Sequence, residues 1–96
     1  MLLYPLEIRR YLVVRLFERG GEATITELVD DLHGEGFGVP GRPSRTVSDA
    51  LRTEVARGRV VRVTRGLYAL GHVPRTTKHR MVHTVASLRL GQRPAA

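Results

Sequence analysis

The apolar positions of residues 5–19 repeat at helical spacing. Ile8, Leu12 and Leu16 stand four residues apart, and arginines occupy much of the sequence between them. Because residues four apart share one face of an α-helix, this segment predicts a first helix with one buried side. A proline at its first position and Gly20 after its last favour the same boundaries, since proline suits a helix start and glycine a helix end.

Residues 23–25 form a short β-type run, and a second helix is predicted over residues 27–33. Thr26 would cap that helix with its hydroxyl, and the acids of its early turns would lie near the positive end of the helix dipole. Leu28 and Leu32 would form its buried face. Because this helix is acidic, we expect it to support the next helix and not to contact phosphates.

A glycine-rich loop over residues 33–43 is predicted before the third helix. Four glycines and two prolines in these eleven residues exclude a continuous helix, and Phe37 would hold the loop on the core. A nucleotide-binding loop is not expected, because the Gly-Lys-Ser/Thr ending of such loops is absent. Ser44 is predicted to cap the third helix, which would run to about Arg57 and end at Gly58.

The third helix is amphipathic. One side is expected to be buried and carries Val47, Ala50, Leu51 and Val55. The opposite side is polar and carries Arg45, Ser48, Asp49 and Arg52. A helix with such a free polar face fits the major groove of DNA, which is about 12 Å wide.

Residues 59–70 alternate as the two strands of a β-hairpin, with Arg62 between two valines on the first strand. Residues 64–66 are predicted to form the turn, where Gly66 is free to adopt a positive φ. Arg65 would then lie at the hairpin tip. Because an isolated hairpin is only marginally stable in water, this one is expected to pack on the helices.

A basic fourth helix is predicted over about residues 77–90, followed by a flexible tail over residues 92–96. Its narrow apolar stripe consists of Met81, Val85 and Leu88. The stripe has two interpretations: it completes the core of its own chain, or it pairs with a second copy in a homodimer. We expect the homodimer, because small DNA-binding proteins commonly gain affinity and site size from two-fold symmetry.

Composition narrows the class of protein. The 96 residues, 42% of them hydrophobic, are enough for one small globular domain. No apolar run is long enough to cross a membrane, and the N-terminus does not have the pattern of a signal peptide. The lack of cysteine excludes disulfides and thiolate chemistry and agrees with a cytoplasmic location.

The charge of the chain is unevenly distributed. Residues 1–54 hold nine acids and seven arginines, a net charge of −2, whereas residues 55–96 hold eight arginines, one lysine and no acid, a net charge of +9. A concentrated positive charge is typical of proteins that bind a polyanion, and a merely solvated basic surface is the alternative.

Catalytic and metal chemistry is not expected. His79 and His83 are four residues apart on a predicted helix, but no acid or cysteine follows to complete a metal site. The serines have no histidine and acid at a spacing that indicates a catalytic triad. The sequence therefore predicts a protein that is not an enzyme and that needs no cofactor, metal or small-molecule ligand.

The segment TVSDALRTEVARGRVVRVTRGLYAL resembles the last part of a winged helix-turn-helix domain: a recognition helix, a glycine, a hydrophobic strand, an Arg-Gly turn and a Tyr-x-Leu strand. It is similar to the N-terminal DNA-binding domain of type IV toxin–antitoxin antitoxins and to helix-turn-helix modules of restriction and chromatin-associated proteins. The resemblance implies an α+β fold in which residues 1–72 form a three-helix core with a β-hairpin wing. Residues 73–91 would add a basic amphipathic helix.

The resemblance also implies how DNA is held. Arg45 and Arg52 would contact guanine edges or phosphates, and Asp49 would accept from cytosine or, as we prefer, orient one of these arginines. Arg65 would reach a phosphate or the minor groove. The implied DNA contacts are Ser44, Arg45, Ser48, Asp49, Arg52, Arg59, Arg62, Arg65 and Gly66, with further phosphate contacts from Arg42, Arg75, Lys78 and Arg80.

The expected function is therefore double-stranded DNA binding, by a small bacterial or phage transcriptional regulator or a nucleoid-associated protein. Two alternatives remain. A winged helix can bind a protein, such as a component of the transcription machinery, through the same faces. A basic chain of this size can also associate with RNA or the ribosome.

Overall fold

The computed structural model describes residues 1–93, which form four helices and a small three-stranded antiparallel sheet. The elements are α1 (Pro5–Glu18), β1 (Glu22–Thr24), α2 (Ile25–Gly34), α3 (Pro43–Ala56), β2 (Val60–Thr64), β3 (Leu67–Leu70) and α4 (Arg75–Arg89). The strand order is β1-β3-β2, so β3 lies in the middle of the sheet and joins the β2–β3 hairpin to β1. The predicted α+β class is confirmed.

One hydrophobic core joins the helices and the sheet. Burying an apolar side chain of this size stabilises a fold by about 1.5–3 kcal/mol, so this core is the main source of stability. Its buried members include Leu12 and Leu16 from α1, Leu28 and Leu32 from α2, Val47 and Leu51 from α3, Val60 and Tyr68 from the hairpin, and Met81, Val85 and Leu88 from α4.

The apolar stripe of α4 lies inside this core, so it completes the core of its own chain; homodimer formation itself stays a prediction. Met81, Val85 and Leu88 are 5%, 0% and 1% exposed, and α4 packs along α1. Because their own chain covers them, these three side chains are not accessible to a second copy. The helix shares one hydrophobic core with residues 1–72.

The second helix begins earlier than predicted, because its N-cap is Thr24 and not Thr26. Thr24 Oγ1 accepts a hydrogen bond of 3.1 Å from the backbone N–H of Glu27, and the Glu27 carboxylate accepts one of 2.9 Å from the N–H of Thr24. This reciprocal pair is a capping box, which satisfies two N–H groups that lack partners within the helix.

The third helix also begins earlier than predicted. Pro43 occupies its first turn and Arg42 is the N-cap residue, so Ser44 lies inside the helix and does not cap it. Proline suits this position because it has no N–H to leave unpaired and its ring fixes a helical φ. The loop between α2 and α3 therefore spans only residues 35–42, shorter than predicted.

That loop is held on the core, as the sequence predicted. Phe37 is 4% exposed, and its ring meets the ring of Tyr11 edge to face with 5.5 Å between centroids. A contact that the sequence did not indicate adds to this. The N–H of Leu3, itself buried, donates a 2.8 Å hydrogen bond to the carbonyl of Gly38, and the Gly38 N–H donates to Met1.

Most acids of α2 and the end of α1 are neutralised by arginines. Asp31 accepts hydrogen bonds from Arg19 Nε at 2.5 Å and Arg15 Nε at 2.8 Å, which hold the pKa of this carboxyl below its usual range. Arg89 of α4 reaches Glu18 at 2.7 Å and Glu35 at 2.6 Å. We call this surface the ion-pair network. Its acids and cations offset one another, so it adds little net charge.

The predicted tail of residues 92–96 is only partly described. Arg93 Nε donates a 3.1 Å hydrogen bond to Glu7, and its guanidinium lies 4.2 Å from the centroid of the Tyr4 ring. Arg93 therefore contacts the start of α1, which corrects the expectation of a free tail at this position. Residues 94–96 lie outside the described part of the chain.

Candidate nucleic-acid interface

The third helix and the hairpin face each other across an open groove of about 470 Å³. We call it the α3–hairpin groove. The helix contributes one polar edge and the hairpin the other, while Ile25 and Tyr68 form the floor between them. The lining residues are Ser48, Arg52 and Val55 from α3, Arg62, Arg65, Gly66 and Tyr68 from the hairpin, and Ile25 from α2.

The polar face of α3 points outward because its apolar positions fix the rotation of the helix. Val47 and Leu51 are both 0% exposed and face the core. Ser48 and Arg52, each one position further along, therefore share the outer face. The Arg45 and Arg52 side chains are 82% and 78% exposed, so both guanidinium groups are free to reach a ligand.

The buried face of α3 differs from the predicted one at a single position: Glu54 is buried there in place of Val55. Val55 is 36% exposed and lines the α3–hairpin groove, whereas its neighbour Glu54 is 0% exposed. The apolar pattern predicted the reverse because it counts a charged side chain as a surface residue. The burial of Glu54 depends on partners from other elements.

The hairpin brings Arg62 and Arg65 to the other edge of the groove. Arg62 is paired with Tyr68 across the two strands, and Gly66 has φ +77°, which permits the tight turn beside Arg65. The N–H of Ile25 donates a 3.0 Å hydrogen bond to the carbonyl of Gly66. This bond ties the tip to α2, so the tip is held in place relative to α3.

Asp49 lies between the two exposed arginines of α3. Its carboxylate is 4.0 Å from Arg45 Nε and 3.7 Å from Arg52 Nη1, and its side chain is 56% exposed. Such exposed pairs are worth about 0–1 kcal/mol, so neither guanidinium is held firmly. Asp49 is thus placed to orient either arginine while leaving both able to bind elsewhere.

Arg59, one of the implied DNA contacts, does not line the α3–hairpin groove. Its Nε and Nη2 donate to the Glu54 carboxylate at 2.7 and 2.8 Å, and Arg9 Nε donates to the same carboxylate at 3.0 Å. Burial opposes the charge of Glu54, but these hydrogen bonds outweigh burial and lower its pKa. Arg59 therefore serves an internal ion pair.

The further phosphate contacts predicted from the sequence are scattered. Arg42 and Arg75 are exposed near the starts of α3 and α4, outside the groove lining. Lys78 is half-buried, with Nζ 3.4 Å from the centroid of the Phe17 ring, a cation–π contact. Arg80 lines a different cleft, behind α3.

Within residues 1–93, no three side chains of the histidine, cysteine, aspartate or glutamate type lie close enough together to hold a metal ion. His79 and His83 stack edge to face, with ring centroids 5.1 Å apart. None of the helices in this range combines the length and apolar character needed to cross a membrane.

Comparison with known proteins leaves the geometry as the guide to function. No protein-family model matches the chain, and neither the curated proteins nor the solved structures contain a significant match.

Proposed function

We propose that the protein binds double-stranded DNA in the manner of a winged helix-turn-helix domain. In this proposal α3 enters the major groove and the β2–β3 hairpin contacts the adjacent backbone or minor groove. The observation that carries the proposal is the α3–hairpin groove, in which Arg52 faces the same opening as Arg62 and Arg65.

The order of elements supports this assignment. A helix, a short strand and two helices precede a two-stranded hairpin, as in a winged helix-turn-helix domain. The pairing of β3 with β1 as well as β2 fixes the hairpin to the body of the protein. A wing held in this way loses little freedom on binding, which favours affinity.

The distribution of charge also supports the proposal. The ion-pair network occupies Glu27 and Asp31 of α2, whereas the hairpin carries arginines and no acid. An approaching polyanion would therefore meet a positive surface at the groove and a compensated one at the ion-pair network. Arginine suits such a surface because its planar fork can bind two phosphate or guanine acceptors at once.

The roles of the arginines follow from their positions. In this proposal Arg45 and Arg52, which extend from the helix, read base edges, and Asp49 orients them. Arg65 at the hairpin tip is placed to contact a phosphate or the minor groove. We infer a small transcriptional regulator or a chromosome-associated protein, located with the nucleoid.

The test is binding of fluorescent duplexes, first selected from a random library, at several salt concentrations. With about four arginine–phosphate contacts, the slope of log K against log salt should be about −3 to −4. Absence of binding at low salt, or a flat salt dependence, would contradict the proposal. Competition by structured RNA as effective as that of the selected duplex would favour the RNA-associated alternative.

Single substitutions at each edge of the groove test the proposed roles of the helix and the hairpin separately. Arg52→Ala should weaken binding of the selected duplex by about 1–3 kcal/mol and reduce the discrimination between DNA sequences. Arg65→Ala should instead weaken binding of all sequences alike and reduce the salt slope by about 1. Arg57→Ala is the matched control, because it removes the same charge from the opposite side of α3. Its affinity should stay within about twofold of the parent.

A further inference from the structure

A second basic surface lies behind α3, away from the α3–hairpin groove. It is a cleft of about 290 Å³ between α1, the connection from α3 to β2, and α4. Arg57, which lines it, is about 180° around the helix axis from Ser48, which lines the groove. We call it the arginine cleft; its charged lining residues are Arg9, Arg10, Glu54, Arg57, Arg59 and Arg80.

The charges of the arginine cleft are not balanced by the protein. Five guanidinium groups surround one carboxylate, that of Glu54, which accepts three hydrogen bonds from Arg9 and Arg59. Within residues 1–93, Arg57 and Arg80 have no carboxylate at ion-pair distance, and both are exposed. The cleft therefore keeps a formal excess of positive charge.

Several N–H donors in the cleft form no hydrogen bond within the described chain. Arg9 uses its Nε for Glu54, and Arg10 uses one terminal nitrogen for a 3.3 Å hydrogen bond to Thr84. Each guanidinium carries five N–H donors, so further N–H groups of these half-buried side chains remain for a ligand. Gathering cations at a partly enclosed site is unfavourable unless an anion compensates them.

We propose that the arginine cleft binds a small anion that carries a phosphoryl group. Paired guanidinium forks match the oxygens of a phosphoryl group in geometry and charge. The volume of the cleft is at the lower end of the range for small-molecule sites, about 300–1,000 Å³, which suits a diphosphate or a short phosphorylated metabolite. This proposal does not depend on DNA binding, because it concerns a different face of the protein.

A bound anion would contact α1, the end of α3 with its connection to β2, and α4 at the same time. It would share Arg9 and Arg59 with Glu54, the buried carboxylate of α3, and would draw Arg80 of α4 toward the same point. The site thus lies where α3 ends and the hairpin begins, and its occupancy would stabilise the packing of α1, α3 and α4 through binding to the folded state.

The experiment is titration of the full chain with inorganic pyrophosphate at constant ionic strength near 0.15 M, followed by amide NMR shifts and calorimetry. One saturable site is expected, with shift changes confined to the lining of the cleft. The double variant Arg57→Ala/Arg80→Ala should bind at least about tenfold more weakly. Because neither residue forms an ion pair within the described chain, the variant should remain folded, which circular dichroism checks.

The control is Arg62→Ala/Arg65→Ala, which removes an equal charge from the α3–hairpin groove. It should change pyrophosphate affinity by less than about twofold, since charges on a distant exposed surface are largely screened. Equal weakening by both double variants, or shifts spread over all arginines without saturation, would overturn the proposal and show only general attraction between charges.

A third arm separates a small anion from a DNA phosphate. The Arg57→Ala/Arg80→Ala protein is titrated with the selected duplex. If duplex binding falls as strongly as pyrophosphate binding, the cleft is a contact for the DNA backbone and the small-anion proposal is wrong. If duplex binding is retained while pyrophosphate binding is lost, the small-anion site stands. Failure of DNA binding in the parent protein would leave the pyrophosphate result unaffected.

Discussion

At the residue scale, Glu54 shows how a single buried charge links three parts of the chain. Its carboxylate lies at 0% exposure and is held by Arg9 from α1 and by Arg59, which precedes β2. The sequence placed Glu54 in register with Val47 and Leu51, which was a signal of burial. Its partners could not be identified, because Arg9 is 45 positions away along the chain.

Replacing Glu54→Gln should destabilise the fold by about 3 kcal/mol, because two inward-facing arginines would lose their carboxylate. Urea unfolding followed by circular dichroism measures this. The control is Asp49→Asn, which removes an exposed acid with looser arginine contacts and should change stability by less than about 0.5 kcal/mol. Equal effects of the two variants would contradict the structural role of Glu54.

Acid should destabilise the protein through its paired carboxylates. In the folded state, hydrogen bonds from Arg89 and Arg19 lower the pKa values of Glu18 and Asp31, respectively. Burial raises the pKa of Glu54, but hydrogen bonds from Arg59 and Arg9 together outweigh burial and lower it. A lowered folded pKa means that stability is present above the unfolded pKa and lost as pH falls through the folded value.

We therefore expect the unfolding free energy to be nearly constant from pH 7 to about pH 5 and to fall steeply below about pH 4. Urea titrations at a series of pH values measure it. The Glu54→Gln protein should show a smaller loss over the same range, since one of the titrating groups is absent. A parent stability that rises on acidification would contradict the ion-pair assignments.

At the element scale, the apolar period predicted the four helices and the hairpin, while their boundaries depended on capping. The T-x-x-E spacing of Thr24 and Glu27 indicates their capping box. The competing β-type run over residues 23–25, however, favours Thr26 as the cap. The sequence pattern assigns Pro43 to the loop because prolines break helix interiors, although the first turn of a helix tolerates them. Strand order was not predictable, since it depends on pairing between β1 and β3, which are distant in sequence.

The junction after the hairpin depends on one glycine. A Cβ at Gly71 would lie 2.5 Å from the carbonyl oxygen of Gly58 and 3.0 Å from the carbonyl carbon of Arg59. Both neighbours are backbone atoms, and the N–H of Gly71 donates to the Arg59 carbonyl at 2.8 Å. The two connections therefore approach too closely for any side chain.

Gly71→Ala should destabilise the protein by about 1–3 kcal/mol, because the backbone must shift to admit the methyl group. The control is Gly34→Ala, at a helical position with nothing within 4 Å of the added Cβ. That change should be neutral or stabilising by up to about 1 kcal/mol. Thermal melts measure the stability of both variants. A Gly71→Ala protein as stable as the parent would contradict the close approach of Gly71 to the backbone of Gly58 and Arg59.

At the scale of the whole molecule, the fold separates compensated charge from free charge. The sequence showed that the second half of the chain is basic, but not which cations would remain available. Arg15, Arg19 and Arg89 form salt bridges within the ion-pair network, and Arg59 forms one with Glu54. The α3–hairpin groove and the arginine cleft hold most of what is left, and this division arises from tertiary packing.

What covers the apolar stripe of α4 also depends on tertiary packing, because the stripe alone does not show whether α1 or a second copy of the chain buries it. Leu88→Ala should destabilise the monomer by about 2–5 kcal/mol, as for a buried leucine. Leu90→Ala is the control, since Leu90 is 76% exposed and its loss should cost less than about 0.5 kcal/mol. A melting temperature that rises with protein concentration, or a mild Leu88→Ala effect, would instead indicate an intermolecular role.

The most direct test of the central claim is an amide NMR titration of the labelled protein with the selected duplex. If α3 and the hairpin form one DNA-binding surface, the largest shift changes should fall in residues 44–56 and 62–66 together. The ion-pair network around Asp31 and Arg89 should be unaffected. Changes concentrated on the network or confined to the arginine cleft, or a hairpin that does not respond when α3 does, would contradict the claim.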